Sequence, residues 1–320
     1  MKYLVTGGAG FIGSHLVDRL LENNHEIVII DDLTSGYISN LPPDSRITFL
    51  NQSVQDVKLN KIPGHISLIF HLAAQVSVPL SIDELFTSSS NNLIGTLKVF
   101  DWARALNIPV VYASSSAVYG NLPVGNDRVE KYDILSPYAQ DKLTMEHYAK
   151  LCYKLYHTSS IGLRFFNVYG PRQDPSSPYS GVISIFIDRL LNDMPVTVNG
   201  GYQTRDFIYV TDIVDILVKS MELLHENGIC QVVNVGVGKS TTIDNLLSML
   251  KEIIKIDPEV IRKDLPLGDP EKSLASCGKL VKFFNVNPER FTPINTGLAN
   301  TVSYYLLNQN NERNENNEKV

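Results

Sequence analysis

An α/β fold built on a doubly wound parallel sheet is the class this sequence predicts, and three observations predict it. Strand-length runs in the first half are apolar almost throughout, helix-length segments separate them, and a glycine-rich turn joins the first strand to the first helix. A strand apolar at every position is covered on both faces, as in a parallel sheet flanked by helices. In chain order the strands are KYLVT (2–6), EIVIID (26–31), RITFL (46–50), SLIFHLA (67–73), PVVYAS (109–114) and IGLRFF (161–166). Helices are predicted from Phe11 to about Asn23, near 85–107, and from Ser136 to about His157. The last of these carries apolar residues at Met145, Tyr148, Ala149, Cys152, Leu155 and Tyr156.

After Phe166 the texture changes. NVYGPRQDPSSPYSG is rich in Pro, Gly and Ser, which marks a long functional loop and the start of a second, smaller α/β C-terminal module. Helical patterns at 181–192, 211–225, 241–254 and 294–307, with short strands near 196–198, 206–210 and 231–235, complete the chain. The division expected is a dinucleotide domain over 1–165 completed by 205–236, and a substrate module over 166–204 and 237–307. The segment 308–320, almost free of apolar residues, is expected to be disordered.

Composition narrows the function. Of 320 residues, 43% are hydrophobic and 19% charged, as in an ordinary globular protein. A net charge of −6 disfavours nucleic acid and anionic lipid as partners, so an anionic substrate needs a local basic site. Cys152, Cys230 and Cys277 are far apart and lack metal-ligand spacing; they read as buried free thiols in a reducing compartment, with no metal expected. The N-terminal apolar run is too short for a signal peptide, and no stretch approaches the ~18 apolar residues of a membrane span. A cytoplasmic protein is expected.

The turn Thr6-Gly7-Gly8-Ala9-Gly10-Phe11-Ile12-Gly13 is the first chemical signal. Gly7 permits a tight turn, Gly10 removes a side chain where a pyrophosphate must approach, and Gly13 lets helix and strand pack closely. The helix N-terminus at Phe11 and Ile12 then faces the anion. Asp31, ending the second strand, is placed to bond the adenosine ribose hydroxyls and repel a 2′-phosphate, which favours NAD over NADP in a Rossmann-type domain. A second glycine run, Gly236-Val237-Gly238-Lys239-Ser240-Thr241, resembles the end of a phosphate loop. Its first glycine would fall at Val233 inside a strand, so it reads as an ordinary turn.

The second signal is SPYAQDK (136–142). Ser136 suits an N-cap and Pro137 the first helical position, so Tyr138 and Lys142 lie one turn apart on one face. A phenol titrates near ~10, and an adjacent ammonium together with an oxidised nicotinamide favours its ionised form, making a base usable near neutral pH. Upstream, Ser114, Ser115 and Ser116 leave the fifth strand at its C-terminal end, where such sheets bind ligands. Any of the three could bond the substrate oxygen that Tyr138 deprotonates. His71 and His15 read as packed or solvent-facing rather than catalytic.

Together these motifs carry a resemblance. TGGAGFIG (6–13), HLAA (71–74), NLIGT (92–96), SSSAVYG (114–120), SPYAQDK, RFFNVYGPR (164–172) and TRDFIYVTD (204–212) occur in the order seen in extended short-chain dehydrogenases/reductases. From residue 1 to about 307 the chain is similar to nucleotide-sugar 4-epimerases of that family. The resemblance implies Tyr138, Lys142 and Ser115 as catalytic residues, with Ser114 and Ser116 as substitutes for the serine. It implies cofactor contacts from Leu72, Ala73, Ala74 and Asn92 beside Gly7, Gly10, Phe11, Ile12, Gly13, Asp31, Tyr138 and Lys142. A homodimer through the helices near 85–107 and 137–157 is also implied.

Family members that dehydrate carry an acidic pair beside the active-site serine or threonine. Here those positions are Ser116 and Ala117, and alanine moves no proton. Reversible C4 epimerisation of a UDP-hexose with tightly bound NAD is therefore expected. A UDP-glucuronate 4-epimerase or a 4-keto reductase is the alternative, and a non-catalytic dinucleotide sensor the remote one. The resemblance assigns Asn167 and Arg205 to the diphosphate. It sets Ser273 where a bulky tyrosine restricts relatives to glucose and galactose, so UDP-GlcNAc/UDP-GalNAc is the expected pair, with UDP-Glc/UDP-Gal beside it. Two departures from the family pattern are Pro266, in place of an arginine that grips the diphosphate, and Ser53, in place of an adenine-contacting aspartate.

Overall fold

The computed structural model describes residues 1–177, 181–226, 228–266 and 269–317, with side chains described as far as residue 309. Its strands are β1 (Lys2–Thr6), β2 (Glu26–Asp31), β3 (Ile47–Asn51), β4 (Leu68–His71), β5 (Val110–Ser115), β6 (Ser160–Phe165), β7 (Asn167–Tyr169), β8 (Val196–Asn199), β9 (Thr204–Arg205), β10 (Phe207–Tyr209), β11 (Cys230–Val235), β12 (Thr241–Thr242) and β13 (Val260–Lys263). The helices are α1 (Phe11–Glu22), α2 (Val78–Asp83), α3 (Leu85–Ser89), α4 (Gly95–Leu106), α5 (Pro137–Tyr156), α6 (Val182–Leu191), α7 (Val210–Glu226), α8 (Ile243–Ile254), α9 (Gly278–Phe284) and α10 (Ile294–Asn317). A π-helical turn, Ser90–Ile94, joins α3 to α4, so the helix expected near 85–107 is interrupted.

Seven strands form one parallel sheet in the order β11-β6-β5-β4-β1-β2-β3. From β1 the chain winds outward to β2 and β3, then returns to β4 on the other side of β1. The reversal opens a crevice at the C-terminal ends of β1 and β4, where a doubly wound sheet receives its ligand. The glycine turn after β1 and the HLAA loop after β4 meet there. Gly7 sits at φ +72°, and a Cβ on it would fall 2.6 Å from the Ala73 nitrogen, so only glycine fits.

Both sheet faces are covered, as the apolar strands require. Leu16, Val17 and Leu20 of α1 pack with Ile213, Ile216 and Leu217 of α7 on one face; Val99, Phe100 and Ala103 of α4 pack with Met145 and Ala149 of α5 on the other. Each fully buried Val, Leu, Ile, Phe or Met side chain among these contributes about 1.5–3 kcal/mol from area removed from water. A separate core of Phe186, Ile187, Leu190, Leu246, Leu250 and Leu298 holds α6, α8 and α10 with β8 and β10 as the smaller module. A fourth cluster, Val118, Tyr119, Leu143, Phe166 and Ala275, lies along the seam.

Three details differ from the sequence expectation. Leu280 and Phe284 of α9 join the core of the dinucleotide domain, so 237–307 is not one continuous piece of the substrate module. The α10 backbone is helical through 308–317, where disorder is expected: no glycine or proline follows Gly297, so intrahelical hydrogen bonding continues into the polar segment, while 318–320 lie outside the described residues. The three cysteines are free but only partly buried. Among the described residues, no helix is long and apolar enough to cross a membrane.

Candidate active site

The start of α5 takes the geometry its sequence dictates. Ser136 is extended and its hydroxyl accepts from the Ala139 N–H at 3.2 Å, with Pro137 as the first helical residue. This sets Tyr138 and Lys142 on the helix face turned toward the end of β5. Both are buried, at 9% and 2% exposure. The Lys142 ammonium donates to the Ala113 carbonyl at 2.8 Å and sits 5.7 Å from the centre of the Tyr138 ring. The Ser115 hydroxyl accepts from the Ala117 N–H at 3.1 Å and lies beside the Tyr138 phenol, near enough to favour its ionised form.

This geometry chooses among the three serines. Ser114 donates to Glu146 at 2.5 Å inside the core, and Ser116 opens the 3-10 turn that follows β5. Ser115 is the serine brought to the tyrosine.

The electrostatics depart from expectation. Burial raises the Tyr138 pKa, and the Ser115 hydrogen bond offsets this only in part. Lys142 is pulled down to about 8 by burial, against the opposing pull of Asp141 and then Glu146. The ammonium alone therefore does not make this phenol acidic, because both groups lose the water that would stabilise their charged forms. The additional cation invoked from the sequence, an oxidised nicotinamide, is needed to bring the phenolate within reach.

The glycine turn fits a dinucleotide. Gly10 caps α1 with no side-chain hydrogen bond, leaving the first helical N–H groups of Phe11 and Ile12 directed outward. A Cβ on Gly10 would meet only the Gly7 carbonyl, at 3.3 Å, so internal packing does not demand glycine there; a Cβ on Gly13 would lie 2.0 Å from that same oxygen. Asp31, 8% exposed, accepts from the Ala9 N–H at 2.9 Å through Oδ2 and from the Leu33 N–H at 2.9 Å through Oδ1. It braces the turn, and each oxygen keeps a lone pair for a ribose hydroxyl.

Across the crevice, the Leu72 N–H bonds to the Thr6 carbonyl and the Ala73 N–H to the Thr6 hydroxyl, fixing HLAA through Ala74. Asn92 accepts from the Gln75 N–H at 2.9 Å and donates to its carbonyl at 3.0 Å. One bond at each end of the amide fixes the loop against Asn92. His71 lies between the Thr6 and Thr96 hydroxyls at 2.8 and 2.9 Å, and burial holds its pKa at about 3; it is a neutral structural residue. His15 bonds the Pro171 carbonyl.

On the substrate side, Asn167 opens β7 and pairs with Phe207 of β10. Arg205 is buried and already engaged: Nη1 donates to the Thr204 and Pro270 carbonyls, and Nη2 to the Asp269 carboxylate. Ser273 is half-buried, its N–H bonded to the Thr204 carbonyl at 3.1 Å. Pro266 is described, while Leu267 and Gly268 of the PLGD segment lie outside the described residues, as do 178–180 of the loop after β7. Ser53 donates to Asp56 at 3.0 Å in a local turn.

Asp206, adjacent to Arg205, disposes of the second glycine run. Its carboxylate accepts from the N–H groups of Val237, Gly238 and Ala275 at 2.8–3.0 Å, so amides that could have cradled a phosphate already hold a protein anion. Burial moves the Asp206 pKa up to about 6 against those bonds.

Residues 3–236 match the model of the NAD dependent epimerase/dehydratase family. The chain belongs to that family. It is an enzyme fold whose cofactor is NAD, in agreement with the uncapped helix and Asp31. A putative UDP-glucose 4-epimerase of Methanocaldococcus jannaschii is 40% identical over 266 residues, covering 81% of this chain and 84% of its own. Among solved structures, a UDP-N-acetylglucosamine 4-epimerase from Methanobrevibacter ruminantium in complex with UDP-N-acetylmuramic acid has a TM-score of 0.87 at 37% identity, covering 96% of this chain and 98% of that one. The UDP-glucose 4-epimerase of Thermotoga maritima with UDP-glucose has a TM-score of 0.88 at 33% identity, covering 97% and 100%.

Residues that sequence reasoning passed over in this family member are Glu146, Asp206 and Asp269. Glu146 carried a usable signal, since it follows Lys142 by one further turn on the same helix face. Asp206 and Asp269 carried none, because their partners are distant in the chain.

Proposed function

We propose that this protein interconverts the C4 epimers of a UDP-hexose, with UDP-GlcNAc/UDP-GalNAc as the preferred pair and UDP-Glc/UDP-Gal as a second. The observation that carries the reading is the gathering of Ser115, Tyr138 and Lys142 at the sheet's C-terminal edge, with the Lys142 ammonium bonded to the Ala113 carbonyl and 5.7 Å from the Tyr138 ring centre, and with alanine at 117. Bound NAD, held by the glycine turn, Asp31 and Lys142, supplies the hydride acceptor and donor. Ser115 and Tyr138 share the sugar 4-oxygen, and Tyr138 removes its proton as C4 is oxidised. The resulting 4-keto sugar turns within the pocket, and the tyrosine returns the proton once the opposite face has been reduced. With no acid at 117, elimination of water has no proton donor at that position.

Ser273 supports the N-acetyl pair, because a small side chain leaves room where a tyrosine would fill it. It lies two residues from Ala275, which packs with Tyr119 and Phe166 at the seam. NMR of purified protein with UDP-GlcNAc and no added NAD tests the reading: UDP-GalNAc is expected at equilibrium, and its absence refutes the substrate assignment. A cytoplasmic homodimer is part of the same reading, motivated by Phe86, Leu85, Ile94, Leu151 and Leu155, which are 45–85% exposed on α3, the π turn and α5. Light scattering at the monomer mass would exclude it.

A further inference from the structure

Three successive residues at the end of β5 are tied to three positions of α5 spaced one turn apart. The Ala113 carbonyl accepts from Lys142 and the Ser114 hydroxyl donates to Glu146, while the Ser115 hydroxyl lies beside the phenol of Tyr138. Residues 138, 142 and 146 share one helix face. The middle rung is the most buried of the side-chain contacts: Ser114 is 3% exposed and Glu146 1%.

A carboxylate that deep requires a partner, and Arg164 of β6 supplies it. Arg164 grips Glu146 with two bonds, Nε to Oε1 at 2.8 Å and Nη2 to Oε2 at 2.5 Å. Its remaining donors go to the hydroxyls of Tyr119 at 2.6 Å and Tyr132 at 3.3 Å, and both rings lie 5.1 Å from the guanidinium carbon. Tyr119 donates in turn to Asn234 of β11 at 2.7 Å, and the Asn234 amide donates to the Gly125 carbonyl. Glu146 is thus clamped by a bidentate fork anchored in two other strands, and cannot slide along α5 without breaking a charge pair in the core.

Resting on the epimerase reading, we propose that Glu146 is a positioning residue for the reaction: through Ser114 it sets the register of β5 against α5, and so the approach of Ser115 to Tyr138. A rigid clamp is needed because neither catalytic hydroxyl has a second anchor on its partner element, and a shift of about 1 Å between reacting groups is enough to cost catalysis heavily. Arg164 is a poor place to test this, since removing it strands a buried carboxylate and unfolding would mask any effect on rate.

Ser114→Ala removes only the rung. The expected result is a roughly tenfold loss of kcat, with KM for the UDP-sugar within about twofold and bound NAD retained. The deciding measurement is the same substitution in a Ser115→Ala background, where the further loss should shrink to threefold or less, because the contact being positioned is already gone. A kcat for Ser114→Ala within threefold of the parent overturns the proposal, as does an equal loss in both backgrounds. If Ser114→Ala fails to fold, Glu146→Gln, which keeps the shape and weakens the clamp, is read by the same two criteria. Absence of turnover in the parent would instead count against the epimerase reading.

Discussion

The mouth of the parallel sheet and the loops of the smaller module meet the same crevice but are built differently. At the mouth Tyr138, Lys142 and Asp31 are buried and fixed in place: Tyr138 lies beside Ser115, Lys142 bonds a strand carbonyl, and Asp31 accepts from two backbone amides. On the module side, Arg205 sits in the two-residue strand β9, paired with β12, and Ser273 on an irregular segment tied to it by one backbone bond, next to stretches rich in proline and glycine. Under the proposed reading, rigid elements hold the groups whose placement the chemistry depends on, while the less regular side carries the groups that would choose what enters.

The most direct way to break the contrast is at the tyrosine. Tyr138→Phe keeps the ring and its packing and deletes the proton acceptor. A loss of kcat on the order of 10³-fold is expected, with NAD content, read from the spectrum of denatured protein, unchanged; near-normal turnover would remove Tyr138 as the base. A change on the loop side should act on choice rather than on rate. Ser273→Tyr is expected to lower kcat/KM for UDP-GlcNAc by roughly 10–100-fold while UDP-Glc changes by less than about threefold, and an equal loss for both would show that residue 273 does not face the sugar.

The smallest effect expected is a pH dependence confined to the rigid side. Lys142, pulled down to about 8, carries its charge below that pH and loses it above. Because the charged form supports the phenolate, kcat should fall as pH rises past about 8, with KM for the nucleotide sugar changing little. A kcat still flat two pH units higher would mean that the ammonium is held more firmly than burial allows. The lowered pKa also bears on stability. The unfolded chain binds the proton more tightly, so the penalty for burying this lysine is present in full below pH 8 and relaxes as pH rises toward the unfolded lysine value.

The rigid side was the more legible in the sequence. Gly7, Gly13, Asp31, Tyr138 and Lys142 declare themselves because backbone geometry and helical spacing act over a few residues, and the strands of the main sheet were visible as apolar runs. The burial that raises the Tyr138 pKa was not legible, because burial of a whole helix face is a tertiary property that no spacing reveals. Asn92 was placed in the right neighbourhood, but its commitment to Gln75 follows from a loop whose path is set by packing. The destination of α9 was missed because its two core residues, Leu280 and Phe284, suit either module by composition. Spacing alone left three serines open; the resemblance pointed to Ser115, and the structure adds that Ser114 is taken by Glu146.

The pairing of Arg205 with Asp269 changes how an anion must arrive there. The guanidinium has already shed most of its water and already has a counter-charge, so under the proposed reading an incoming phosphate would have to evict a carboxylate instead of filling an empty cationic slot. Affinity at that point is the difference between two ion pairs, and electrostatic steering from solvent is muted by the resident acid. Selection then rests on how well the newcomer's shape and hydrogen bonding outdo the aspartate.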